Sequence, residues 1–148
     1  MHLSVETFAG RLNEIMPVIV KEFTARFTKE LHKNKITLPQ FLVLEFLSRG
    51  GSSKMTELAN FMNVTTAAMT GIVDRLVRDG YLKRVADCND RRIIKVKLTD
   101  DGNVIVKKIN ERKRQMFIKV FGRISEEDRE RYLTILKQIK DVLVENNI

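Results

Sequence analysis

The sequence feature that most constrains the fold is a change of periodicity at Gly80. Before this glycine, apolar residues recur every three or four positions, which is typical of amphipathic helices. After it, residues 93–98 alternate between apolar and lysine side chains, as in a half-buried strand. Glycine also closes helices readily, because it adopts the left-handed conformation without strain. We therefore predict a mainly α-helical chain with one small β-hairpin over residues 81–98.

The hairpin is predicted from two short strands, 81–85 and 93–98, joined by the polar residues 86–92. Asn89 and Asp90 near its tip suit a turn, because their side chains bond to nearby backbone groups. In the second strand the alternation places Ile94, Val96 and Leu98 on the buried face and Lys95 and Lys97 on the solvent face.

Two short helices are predicted just before the hairpin, joined by a turn at Asn63-Val64. Ser53 is expected to cap the first helix, and Thr65 or Thr66 the second. The predicted buried faces are Met55, Leu58, Ala59 and Met62 in the first helix, and Met69, Ile72, Val73 and Leu76 in the second.

Longer helices are predicted on both sides of this central module. Residues 5–33 form an amphipathic helix in which Pro17 introduces a kink or a fresh start. Thr37 and Gln40 fit a capping box for a helix that ends at Gly50-Gly51. Thr99 is expected to cap a helix that reaches about residue 122, and Ser125 caps the last one.

The chain of 148 residues carries a net charge of +8 and one cysteine, Cys88. A positive excess favours a polyanionic partner, with nucleic acid ahead of an anionic membrane surface. One thiol cannot form an internal disulfide. Because we find neither a signal peptide nor an apolar run long enough to span a bilayer, we expect a cytoplasmic protein without membrane contact.

Two short helices, a glycine and a basic hairpin in this order are typical of a winged helix-turn-helix that binds double-stranded DNA. The second helix of such a pair enters the major groove through short polar side chains near its start. That end of the helix supplies the candidates Thr65, Thr66, Ala67 and Thr70, with Arg75 further along.

The hairpin loop supplies the second group of candidate DNA-binding residues. A wing that enters the minor groove needs arginine, because the narrow groove concentrates negative potential, and Arg91 and Arg92 meet that need. Asp90 is expected to hold an arginine side chain by a charge-assisted hydrogen bond. Ser53 and Lys54, at the start of the first helix, complete the candidates.

With these residues in place, the sequence resembles the MarR (multiple-antibiotic-resistance regulator) family over roughly residues 5–147. The Asp-Arg-Arg wing before a Leu-Thr-x-x-Gly exit is the most specific part of the resemblance. The matching stretches are Leu38-Pro39-Gln40-Phe41 with Leu44, Leu58-Ala59 through Val64, residues 65–76, Gly80-Tyr81-Leu82 with Arg84, Asp90-Arg91-Arg92, and Leu98-Thr99 with Gly102.

The resemblance implies a winged helix-turn-helix flanked by dimerisation helices, in a single domain over residues 1–148. Residues 37–98 would be the DNA-binding lobe, while 5–33 and 99–147 would pair with a second copy of the chain. A homodimer would bind a pseudo-palindromic operator with half-sites roughly 34 Å apart. The resemblance also implies that Arg92 enters the minor groove and that Asp90 positions the wing and Arg75.

A small aromatic or lipophilic effector is a further implication, since the family's ligands lodge between the dimer bundle and the DNA-binding lobe. Five residues could line such a cleft, although core packing is the alternative role for each of them. They are Phe23, Phe27, Phe41, Phe46 and Met116.

The main functional prediction is thus a ligand-responsive transcriptional repressor. A constitutive DNA-binding or protein-recruiting module without a ligand response is the alternative. We find no phosphate loop, activated nucleophile or redox pair, so we predict neither an enzyme nor a cofactor. His2 and His32 lack the spacing of metal ligands, and we do not expect Cys88, near the wing tip, to act as a redox sensor.

Overall fold

A computed structural model describes residues 3–146, so predictions that involve His2 or residue 147 lie outside the described part. No helix within residues 3–146 has the length and apolar character needed to cross a membrane. The chain divides into two compact units, Met1–Asn110 and Glu111–Ile148. The elements are α1 (Val5–Lys33), α2 (Leu38–Gly50), β1 (Ser52–Lys54), α3 (Met55–Met62), α4 (Thr66–Arg78), β2 (Leu82–Ala86), β3 (Ile94–Leu98), α5 (Asp100–Phe121) and α6 (Glu126–Asn146).

The first unit contains the hydrophobic core. The core combines the end of α1, one face each of α2, α3 and α4, the inner face of the strands and the first half of α5. The predicted inward faces of α3 and α4 are confirmed, with Met55, Met62 and Ile72 half-buried at the margin. The buried hydrophobic residues are Leu31, Ile36, Phe41, Val43, Leu44, Leu47, Leu58, Ala59, Met69, Val73, Leu76, Leu82, Val96, Leu98, Ile105, Val106 and Ile109.

The predicted hairpin is present, but it belongs to a three-stranded antiparallel sheet in the order β1-β3-β2. The sequence analysis missed β1, which has only three residues. Its middle residue, Ser53, is buried in the sheet, so the prediction that Ser53 caps α3 is wrong. The N-cap of α3 is Lys54, whose side chain makes no capping hydrogen bond. The Ser53 hydroxyl donates instead to the Lys54 carbonyl and the Glu57 carboxylate.

Left-handed residues close the helices that frame the turn and the hairpin. Asn63 ends α3 with φ of 52°, and the next N–H, that of Val64, donates to the Ala59 carbonyl at 3.0 Å. Gly80 follows α4 with φ of 84°, and the N–H of Tyr81 donates to the Leu76 carbonyl at 2.9 Å. These six-to-one hydrogen bonds satisfy carbonyls that the helix ends would otherwise leave free.

The first helix runs unbroken from Val5 to Lys33, so it does not start afresh at Pro17. Ser4 caps it by accepting the N–H of Thr7 at 3.2 Å. The predicted capping box of α2 is confirmed, because Thr37 and Gln40 each accept the other's backbone N–H. Most of α1 is exposed, including an apolar row of Phe8, Leu12, Ile15 and Ile19.

The second unit contains the C-terminal half of α5 and the whole of α6. Ser125 caps α6, as predicted, by accepting the N–H of Asp128 at 3.2 Å. Arg129 donates to the carbonyls of Phe121 and Ile124, which closes the turn between the two helices. A long apolar face of α6 is nevertheless exposed, with Leu133, Leu136, Ile139 and Leu143 along it.

Candidate nucleic-acid interface

The start of α4 presents a small, polar, exposed surface. Thr65 is its N-cap, and the Thr65 hydroxyl accepts the N–H of Ala68 at 3.1 Å. The Thr70 hydroxyl donates to the Thr66 carbonyl at 2.9 Å, so it is engaged within the helix. Thr66 and Ala67 are exposed beside the first-turn N–H groups. Such a helix end has room for close approach and a partial positive charge.

The wing is organised by two aspartates rather than by arginine side chains. The Asp87 carboxylate accepts the N–H groups of Asn89 and Asp90, each at 3.2 Å, and pairs with Lys95 at 2.9 Å. The Asp90 carboxylate accepts the backbone N–H of Arg92 at 3.0 Å. The prediction that Asp90 holds an arginine side chain is therefore corrected, because its bond goes to the backbone.

The same contacts shift the pKa values of Asp87 and Lys95 in the wing. The hydrogen bond from Lys95, followed by that from the Asn89 N–H, lowers the pKa of Asp87 below its ordinary value. The hydrogen bond to Asp87 raises the pKa of Lys95. Both shifts favour the charged forms, which make the ion pair within the loop that carries Arg91 and Arg92.

An ion pair that the sequence analysis missed joins α4 to the hairpin. The Arg84 guanidinium, on β2, binds the Asp74 carboxylate, on the exposed side of α4. Nothing in the sequence pairs these two residues, because they are ten positions apart on different elements. The contact fixes the strand that leads to the wing relative to the helix that begins at Thr66.

The exit from the hairpin is fixed by Thr99 and Gly102. The Thr99 hydroxyl donates to the Gly80 carbonyl at 2.6 Å and accepts the N–H of Gly102 at 3.0 Å. A Cβ at Gly102 would overlap the Tyr81 carbonyl oxygen, so only glycine allows this approach. The end of α4, the base of the hairpin and the start of α5 thus meet at one backbone junction.

This arrangement of helix pair, wing and junction matches known proteins. The family model described as MarR family matches residues 36–94. The chain is 32% identical over 110 residues to the HTH-type transcriptional regulator YpoP of Bacillus subtilis, covering 74% of each chain. The chain belongs to the MarR family.

Two further proteins illustrate the range of the family. The chain is 26% identical over 113 residues to the HTH-type transcriptional repressor MdtR of Bacillus subtilis, covering 76% of this chain and 73% of that one. A MarR family protein from Bacillus stearothermophilus has the same fold, with a TM-score of 0.87 at 24% identity. That match covers 95% of this chain and 99% of the other.

Most of the residues predicted to contact DNA are accessible in the structure, and one of them, Ser53, is buried. Ser53 is 2% exposed and its hydroxyl is used internally, so it is not available to a groove. Lys54 and Thr70 are half-buried. The exposed candidates are Thr65, Thr66, Ala67, Arg75, Asp90, Arg91 and Arg92.

The predicted effector-lining residues do not share one environment in the first unit. Phe41 is fully buried in the core, and Phe27 packs edge-on against it at a centroid distance of 5.3 Å. Phe46 instead packs on the exposed ring of Phe61, at 4.4 Å, in a groove of about 320 Å³. Phe23 is half-buried on α1, and Met116 is half-buried in the second unit.

Proposed function

We propose that the protein is a transcriptional repressor that binds a pseudo-palindromic operator as a homodimer and releases it when a small aromatic ligand binds. The observation that carries the DNA-binding part is the joint exposure of the α4 N-terminus and the arginine-bearing wing. An ion pair between Asp74 and Arg84 and a hydrogen bond from Thr99 join both of them within one lobe. Repression is supported by the likeness to MdtR, which is a repressor.

The geometry supports a division of labour between the two DNA-contacting parts. The start of α4 enters the major groove, where Thr66 and Ala67 approach base edges and the helix N–H groups face phosphate. Arg91 and Arg92 enter the adjacent minor groove, where negative potential is strongest. The Asp87 and Asp90 bonds order the loop before binding, which lowers the entropy lost when DNA binds.

The homodimer is supported by exposed apolar side chains on the outer helices. Phe8, Leu12 and Ile15 on α1 are each at least 41% exposed, and so are Leu133 and Ile139 on α6. Faces this apolar are covered by a partner in most proteins. A second copy of the chain covers both and sets two wings about one helical turn of DNA apart, roughly 34 Å.

The effector is the part of the proposal that rests most on family likeness. In the first unit, the groove beside Phe46 offers an apolar floor, with Phe61 and Leu42 beside it and Arg49 at its margin. Aromatic rings stack on such side chains, and a guanidinium suits a carboxylate. Aromatic carboxylic acids are therefore the first class of ligand to test.

The deciding experiment is a gel shift with the DNA upstream of the protein's own gene, repeated with a panel of aromatic acids. We expect the Arg92→Ala variant to bind the shifted fragment about ten- to hundredfold more weakly, since it loses one groove contact. Arg131→Ala, which removes an exposed arginine from α6, is the matched control and should bind like the wild type.

Each outcome of this experiment tests a separate part of the proposal. Equal affinity of the Arg92→Ala and wild-type proteins at physiological salt would overturn the role of the wing. Release of the wild-type protein by an aromatic acid, with a matching thermal shift, supports the ligand response. A flat response over the whole panel would replace it with constitutive binding.

A further inference from the structure

The outward face of the three-stranded sheet gathers lysines from all three strands. Residues directly opposite each other in a sheet project to the same side. Lys54 on β1 lies opposite Lys95 on β3, and Lys83 on β2 lies opposite Lys97 on β3. Because Lys95 and Lys97 are two positions apart, all four share one side, here called the lysine face. The other side carries the buried Val96 and Leu98.

This arrangement is unfavourable for stability, because like charges directly opposite in a sheet repel each other. The acidic groups that act on the lysine face are Asp87, which pairs with Lys95, and Glu57, which lies near enough to raise the pKa of Lys95. Within residues 3–146, Lys83 and Lys97 have no carboxylate at ion-pair distance. The face therefore keeps a net positive charge that the protein's own side chains do not neutralise.

The lysine face is continuous with the wing. β3 begins two residues after Arg92, and β2 ends at Ala86, just before the loop. A groove of about 390 Å³ runs beside the face. It is lined by Lys95 and Lys97, by the Asp87 that pairs with Lys95, and by Gly50, Gly51, Ser52, Val85, Ala86 and Cys88. Glycines leave the groove open to a bulky chain. A polyanion that contacts the wing tip would pass Asp87, whose charge is paired with that of Lys95, before it reaches the lysines of the strands.

The spacing of the lysines suits a phosphodiester backbone. Residues two apart on a strand lie about 7 Å from each other, and paired residues lie about 5 Å apart. Neighbouring phosphates of one DNA strand rise by about 3.4 Å along the helix axis and also wind around it, so they lie roughly 7 Å apart through space and match the spacing along a strand. Long lysine side chains absorb the remaining mismatch, since their charge sits on a flexible stem.

We propose that the lysine face binds the phosphate backbone of DNA that flanks the segment held by the wing tip. This inference rests on the proposed function and extends the operator contact beyond the helix-turn-helix and the wing loop. The repulsion between Lys54 and Lys95 is partly offset by Asp87, whereas that between Lys83 and Lys97 is relieved in the complex, where phosphates lie between them. The face therefore lowers the stability of the free lobe and raises its affinity for longer DNA.

The test compares two duplexes that contain the operator, one trimmed to the wing contacts and one extended by about ten base pairs, or one turn, on each side. The variant is Lys83→Gln/Lys97→Gln, and the matched control is Lys21→Gln/Lys29→Gln, which removes the same charge from α1. We expect the wild type and the control to bind the extended duplex more tightly than the trimmed one. The variant should lose that gain, and its salt slope on the extended duplex should be shallower by about 3.6, because each protomer of the proposed homodimer loses two phosphate contacts.

Stability separates this role from a structural one. Thermal unfolding of the free lysine variant at low salt should occur at the same temperature as in the wild type or slightly higher, because a repulsion is removed. Weaker DNA binding together with lower stability would instead indicate a damaged fold and would overturn the proposal. So would an equal gain from the extended duplex in variant and wild type.

Two other results have distinct meanings. If the wild type bound neither duplex, the proposed function itself would fail, and this inference with it. If tripolyphosphate stabilised the wild type but not the lysine variant, and duplex length had no effect, the face would bind small anions and the assignment to flanking DNA would be wrong.

Discussion

The DNA-binding lobe and the last helix of this protein both carry apolar faces, but the chain buries only the faces of the lobe. In the lobe, the apolar faces of α2, α3 and α4 are covered within the chain, and Leu44, Leu58 and Met69 are fully buried. In α6, Arg129 is the most protected of the described side chains, and Leu133 and Ile139 remain about half exposed. Both regions are amphipathic, but the lobe completes its core within the chain.

In the proposed homodimer, the lobe would contribute to the stability of each chain and the outer helices to assembly. A side chain that is buried in the monomer contributes to folding through removal of apolar area from water, by about 25 cal/mol per Å². A comparable side chain that is exposed in the monomer contributes only when a partner covers it. The effect of a mutation on stability should therefore be independent of protein concentration in the lobe. In the outer helices it should depend on protein concentration.

The largest expected effect comes from a charge on the apolar face of α6. Ile139→Glu should raise the dissociation constant of the homodimer at least about a hundredfold, because each copy would bury an unpaired carboxylate. Sedimentation equilibrium measures this change. Thr134→Glu, on another side of the same helix, is the control and should leave the dimer intact. An undisturbed Ile139→Glu dimer would show that this face is not the interface.

A smaller effect is expected inside the lobe, at the junction that joins the hairpin to α5. Gly102→Ala should lower the free energy of unfolding by about 1–3 kcal/mol, because its Cβ would meet the Tyr81 carbonyl oxygen, which belongs to the backbone and cannot rotate away. Gly71→Ala in α4 has nothing within 4 Å of its added Cβ and should stabilise the helix by up to about 1 kcal/mol. Urea unfolding measures both, and a loss of equal size in the two variants would contradict the packing at the junction.

The smallest expected effect is a local acid transition in the wing. The bonds to the Asp87 carboxylate hold its pKa below the ordinary value, so they contribute stability at pH above the ordinary aspartate range. That contribution is lost as the pH falls through the lowered pKa of the folded wing. NMR should show the N–H signals of Asn89 and Asp90 shifting in this acidic window, below the midpoint of an unperturbed aspartate. In Asp87→Asn the transition should be absent, and its persistence there would assign it to another carboxyl group.

Local signals predicted the helix ends and the helix-turn-helix well. Capping by Thr37 and Ser125, closure at Gly80 and the buried faces of α3 and α4 each depend on residues within one or two turns of each other, so spacing is sufficient to find them. Ile94 is a partial miss. It shares a face with Val96, as predicted, but it is 51% exposed, because it lies at the tip of the hairpin, where the sheet extends past the core.

Contacts between residues far apart in the chain could not be predicted from the sequence. A strand of three residues has too few positions to show alternation, so β1 and the burial of Ser53 were missed. The Asp74–Arg84 pair depends on how closely α4 approaches β2, which is a packing result. Lys95 and Lys97 were identified as a solvent face, but their pairing with Lys54 and Lys83 needed the strand register.

Local sequence signals are sufficient to predict the order of helices and strands, the positions where helices stop, and the basic character of the loop between β2 and β3. These properties come from side-chain spacing and from the backbone preferences of glycine, threonine and proline, which act locally. The tertiary structure decided the third strand, the aspartate bonds that order the wing and the gathering of lysines on one face. Those features depend on which distant segments meet, and that choice is made by the burial of the whole core.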